Sequence, residues 1–185
     1  MGIRADRHPA TPAPGPEGLP ARRGPRDWAA DFACFAVAVV IGLTGLEVLQ
    51  QHPGLPAGVA VGDQVAGALA CAAVWVRRRY PLGVAVATAV VAVVAQTAGG
   101  AAVVALFTLA VHRPFRQVAW VSAFSLATAP LTFWLYPEPG LNQLAAVVFA
   151  AVLLSATVGW GMYVRSRRLL LQSLRERARR AEAEA

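Results

Sequence analysis

Apolar runs of membrane-crossing length, separated by short breaks rich in proline or arginine, dominate the chain from Trp28 to Val164. Ala29 to Leu49 is apolar for roughly 20 residues, enough to cross a hydrocarbon core of about 30 Å at about 1.5 Å per residue. The pattern predicts a first span there. Gln50 to Gly58, with Pro53 and Pro56, reads as a turn, and Val59 to Val76 as a second span closed by Arg77, Arg78 and Arg79. A fifth span runs from Val118 to Tyr136 and ends at Pro137, Glu138, Pro139 and Gly140. The sixth, Leu141 to Val164, is followed by Arg165, Arg167 and Arg168.

Between them, Pro81 to Val111 holds 31 residues, too many for one comfortable crossing and too few for two at roughly 20 each. Charge decides the reading. One crossing puts Arg113 and Arg116 opposite Arg77 to Arg79. A hairpin, Leu82 to Gln96 and Ala101 to Val111 with its tip at Thr97, Ala98, Gly99 and Gly100, keeps every basic segment on one side, so that all 17 arginines share it. By the positive-inside rule that side is the cytoplasm. The expected fold is therefore an all-α integral membrane protein, a six-helix transmembrane bundle with a short central hairpin and both termini cytoplasmic in the plasma membrane. The short hairpin helices call for local thinning or for burial against neighbours. Aromatic positions agree with this layout: Trp28, Trp75, Tyr80, Trp120, Trp160 and Tyr163 fall at the inner boundary, and Trp134 and Tyr136 at the outer one.

Composition sharpens the picture. With 57% hydrophobic and 15% charged residues, the chain has more apolar side chains than a soluble domain of this size can bury, and the lipid bilayer is the natural partner for the excess. A net charge of +7, carried entirely by arginine, would point a soluble chain toward nucleic acid. Here the arginines lie between apolar runs, so they report topology and no nucleic acid is expected. Residues 1–27 carry six prolines and few large apolar groups, which predicts a disordered cytoplasmic tail. Its first apolar run begins too late for a secretory signal.

Lipid removes most of the hydrophobic drive for helix association, so small residues must let backbones approach. Gly58, Gly62, Ala66 and Ala70 form such a ridge on the second span. Ser122, Ser125, Thr128 and Thr132 line one side of the fifth beside Pro130, as either a hydroxyl-lined pocket or hydroxyls bonded to their own backbone; packing is the reading adopted. Cys34 and Cys71 read as small hydrophobes. Asp27 and Asp31 suit the start of a helix, where carboxylates cap and meet the positive end of the dipole.

No nucleotide-binding loop, HExxH pair or Ser/His/Asp set is present, so no catalytic residue and no metal ligand is assigned. Glu47, His52, Asp63 and Glu138 fall on the outer face, three acids and no base. They are candidate ligand-sensing residues for a cation, a basic peptide or, through His52, pH. The competing reading is four solvated groups at the interface.

After Gly161 neither glycine nor proline interrupts the chain, so the sixth span continues into 165–185, rich in arginine and glutamate. Leu171, Leu174, Ala178, Ala181 and Ala185 follow steps of 3, 4, 3 and 4, a coiled-coil seam. An amphipathic helix on anionic lipid fits the same pattern equally. Arg77-Arg78-Arg79-Tyr80-Pro81-Leu82 opening the hairpin, the His112-Arg113-Pro114 connection, and the last span leading into Arg175-Glu176-Arg177-Ala178-Arg179-Arg180-Ala181-Glu182-Ala183-Glu184-Ala185 together resemble the N-terminal membrane region of actinobacterial two-component sensor histidine kinases. The resemblance implies a membrane sensing and dimerising region, a homodimer joined through the helix after the last span, and a cognate response regulator reached through phosphorelay domains. ATP and Mg are implied only for those kinase domains, whose phosphoacceptor histidine and ATP-binding motifs are absent from these residues; this chain itself is expected to hold no cofactor and to be part of a longer protein. A stand-alone small transporter or an exporter membrane subunit is the alternative.

Overall fold

The structure, a computed structural model, describes residues 25–50, 56–137, 140 and 142–184. Six α-helices run through them: α1 (Pro25–Gln50), α2 (Ala57–Ala73), α3 (Pro81–Val94), α4 (Gly99–His112), α5 (Phe115–Leu135) and α6 (Gln143–Glu184). A 3₁₀ turn, Val74–Val76, extends α2, and another, Gln96–Ala98, joins α3 to α4. Among the described residues there is no strand. The tail expected over residues 1–27 lies outside the described residues as far as position 24, and so do the side chains of Pro25, Arg26 and Asp27.

Prolines set the boundaries where the backbone must leave the helix. Pro56 and Pro114 precede the first turns of α2 and α5 in extended backbone, and Pro81 opens α3, where its missing N–H is no loss. Pro130 sits inside α5 without ending it. Four helices, α1, α2 with its 3₁₀ turn, α5 and α6, are long and apolar enough to cross a membrane. At 14 residues each, α3 and α4 reach only about 21 Å at about 1.5 Å per residue.

Yet short α4 is the centre of the molecule. It touches α1, α2, α3, α5 and α6, and Ala101, Ala105, Leu109 and Ala110 on it are essentially inaccessible. Its small side chains make this possible. A Cβ on Gly100 would lie 2.1 Å from the Ala38 carbonyl oxygen of α1, and one on Gly161 of α6 would lie 2.6 Å from the Ala110 Cβ. A helix with neighbours on most sides presents little surface to lipid, so its length is only loosely tied to the bilayer thickness.

The glycine ridge expected on α2 is corrected by the structure. Gly58 and Gly62 face open space, while the close approach in α2 is made by Gly67. Ala66 and Ala70 do lie against the core that α1, α2 and α4 share. Cys71 is buried in that core with Cys34 packed at its edge, both as free thiols.

Side-chain contacts gather the basic segments at one end. Arg77 at the end of α2 reaches Asp31 near the start of α1, and Arg165 of α6 donates to the Arg113 carbonyl between α4 and α5. α6 then runs on for the rest of its 42 residues with every residue from Ser166 to Ala183 exposed.

Candidate functional site

Two buried carboxylates hold the ends of the bundle. At the arginine-bearing end, Asp31 lies nearly two turns inside α1, and the antiparallel run of α1 and α2 brings Arg77 and Arg78 to it. Asp31 Oδ1 accepts from Arg77 Nη2 at 2.9 Å and from Arg78 Nε at 2.9 Å. Arg77 is only 4% exposed, and its Nη1 donates to the Val74 carbonyl at 3.1 Å. Its Nε, also buried, meets no acceptor among the described residues. The rings of Trp28, Phe32 and Phe35 surround Trp75, with Phe32 edge-on to it at 5.3 Å. Two guanidinium groups share one carboxylate in this apolar setting, so losing Asp31 would leave the buried charge of Arg77 uncompensated. Asp31 is thus the anchor of an ion cluster, beyond the helix-start role its sequence position indicates.

At the opposite end the chain does the same job without a cation. Asp63 is 4% exposed and about 9 Å along α2 from its start, counting about 1.5 Å per residue. Its Oδ2 accepts from the Gln96 main-chain N–H at 2.7 Å and its Oδ1 from that of Thr97 at 3.1 Å. The Thr97 hydroxyl lies 2.6 Å from Oδ1 and 2.8 Å from the Asp63 carbonyl oxygen. These N–H groups belong to the first turn after α3, where no helical carbonyl is available to them. Glycines admit the tip: a Cβ on Gly67 would lie 2.2 Å from Thr97 Oγ1, one on Gly42 2.8 Å from the Thr97 carbonyl, and one on Gly45 2.6 Å from that of Gln96. Asp63 therefore is neither a solvated interfacial acid nor open to a ligand. It is a cap supplied by another helix.

Beside this tip lies a cavity of about 320 Å³. α3 touches α4 and α5, α6 touches the same two, and α3 and α6 do not meet; the cavity occupies the gap. Its polar lining is Gln96, Ser125, Thr128, Thr132 and Tyr136, and the remainder is apolar. Two of these hydroxyls bond their own helix, Thr128 to the Phe124 carbonyl at 3.0 Å and Thr132 to that of Thr128 at 3.2 Å. Tyr136 donates to the Val94 carbonyl at 2.8 Å and is buried, tying α5 to the end of α3. Ser122 is not in the lining; its Oγ is buried with no partner among the described residues.

The remaining sequence-derived candidates do not converge. Glu47 is exposed on α1. His52 and Glu138 lie outside the described residues, as does Ala185. Leu171, Leu174, Ala178 and Ala181 are exposed along α6. Among the described residues no three His, Cys, Asp or Glu side chains gather as a metal set. Sequence reasoning missed Asp31 with Arg77, although an acid inside an apolar run facing the arginines of the next antiparallel span is a readable signal. Gln96 was missed because only the turn that it occupies turns it into the cavity.

The sequence profile of the domain of unknown function DUF8318 matches residues 32–170, which is 139 of the 185 residues. No curated protein and no solved structure matches the chain. The chain belongs to the DUF8318 family.

Proposed function

We propose that this DUF8318 member is the membrane sensing and dimerisation region of a two-component sensor histidine kinase, seated in the plasma membrane with both termini in the cytoplasm. On this reading the α3–α4 hairpin is held inside the bundle by its neighbours, and the phosphoacceptor and ATP-binding domains lie outside these residues. A single observation carries the proposal. α6 is one helix from Gln143 to Glu184, docked on α4 and α5 in its first half and bare from Ser166 onward, where Leu171 and Leu174 are 46% and 52% exposed. Exposed leucines at coiled-coil spacing on a polar helix call for a second helix to cover them. An unbroken helix also transmits a small rotation or translation from its docked half to its free half, which biases two packings of the dimer.

Cysteine scanning of the full chain in liposomes, with Cys34 and Cys71 replaced by alanine, tests the dimer. Disulfide-linked dimers are expected through positions 171, 174, 178 and 181 and not through 172, 176 or 179. Equal yields around the helix, or yields that depend on anionic lipid, favour a helix lying on the membrane. The signalling step has its own test: a Gly-Gly insertion beside Arg165 in the full-length protein is expected to uncouple stimulus from histidine phosphorylation. A coding frame without a phosphoacceptor motif overturns the kinase reading.

A further inference from the structure

The cavity beside the hairpin tip has features that packing alone does not account for. Its volume, about 320 Å³, is that of a small-molecule site. It lies between α3, α4, α5 and α6, and its lining includes Leu106 and Val121 of the apolar core between α3, α4 and α5. No charged side chain lines it. Among the described residues the Gln96 side-chain amide and the Ser125 hydroxyl, both in the lining, make no hydrogen bond. Thr128 and Thr132, also in the lining, donate their protons to their own helix and can still accept. The Gln96 amide and the Ser125 hydroxyl are open to the cavity, so a guest that fills it must bond them or leave them desolvated. A guest that both donates and accepts meets that demand.

We propose that this cavity binds an uncharged amphiphile, with its hydrocarbon chain along the apolar wall of Ala89, Leu106 and Phe149 and a hydroxyl or amide head against Gln96 and Ser125. The absence of lining charge excludes a carboxylate or ammonium head, which would be desolvated there without a counterion. Gln96 is the specificity residue, because its amide offers donor and acceptor together. Its main chain is fixed by Asp63, so ligand contact and the hairpin clip share one residue. The site is a matter of binding alone and holds whether or not the chain drives a kinase.

The full chain in nanodiscs, photolabelled with a diazirine-bearing dodecanol and mapped by mass spectrometry, tests the proposal. Label is expected on 128–136 and 146–154, competed by dodecanol at least about tenfold better than by dodecanoate or dodecylammonium, whose charged heads are desolvated there without a counterion. Ala150→Trp fills the cavity and is expected to lower labelling by a similar factor, while Val65→Trp on the exposed face of α2 leaves it unchanged. Gln96→Leu is expected to weaken competition by dodecanol about tenfold without unfolding the chain, the cost of one unmade hydrogen bond, and Gln96→Glu to shift the preference to the alkylammonium. Label spread evenly over exposed helix faces, or equal competition by the charged amphiphiles, overturns it.

Discussion

The two polar clamps on α1 and α2 use the same side chain for opposite kinds of work. At the arginine-bearing end Asp31 meets guanidinium groups, so both partners are side chains that evolution can exchange. At the other end Asp63 meets the main-chain N–H groups of Gln96 and Thr97, which no substitution removes. A buried ion pair is often replaceable by apolar groups of similar volume. An orphan backbone N–H is not, since it needs an acceptor whatever the side chain. The first clamp adds charge to an interface that helices already make, whereas the second permits a turn to exist inside the bundle.

Breaking one partner of the ion cluster has the largest expected effect. Asp31→Ala strands Arg77, whose Nε already lacks an acceptor, and is expected to destabilise the bundle by about 3–5 kcal/mol, read by reversible unfolding in mixed micelles. Combining Asp31→Leu with Arg77→Met is expected to recover most of that loss; a double variant as weak as the single one shows that the charges themselves are required. Asp63→Ala is expected to cost about 2–3 kcal/mol through its two unmet amides, with faster amide exchange at Gln96 and Thr97. Here Asp63→Leu with Thr97→Val is expected to recover nothing, and recovery would erase the distinction between the clamps. Gly100→Ala probes the steric fit of α4 against the Ala38 carbonyl and is expected to cost about 1–2 kcal/mol; no change means that α1 yields freely. The exposed Glu176–Arg180 pair of α6, 2.6 Å apart, is the smallest case: Glu176→Ala is expected to shift stability by less than about 0.5 kcal/mol.

Much of the helical layout is legible from the apolar pattern, because hydrocarbon demands long uninterrupted runs and arginines mark their ends. The expected break around Thr97 to Gly100 falls beside the observed turn Gln96–Ala98. The polar residues are another matter. Asp63 reads as interfacial from its place near a span end, and only the hairpin folding back against α2 shows it as a buried cap. Gly58 and Gly62 have the spacing of a packing ridge, yet Gly67, Gly42 and Gly45 make the close contacts. Spacing says which residues share a face and not which face meets a neighbour. The cavity escapes sequence reading for the same reason: Ser125, Thr128 and Thr132 share one stripe, while Gln96, which completes the lining, comes from another helix pair.

Sequence alone determined that this chain is helical, apolar enough for a membrane, and basic in a way that marks one end of its helices. Those properties are sums over local composition, and a period of 3.6 residues with a length near 20 suffices to express them. Tertiary structure decided that one of the two shortest helices is the most deeply buried, that Asp31 and Asp63 are internal partners, and that Gln96 faces a cavity. Each of these depends on contact between residues more than 30 positions apart, where the geometry of packed helices, not local propensity, selects who meets whom.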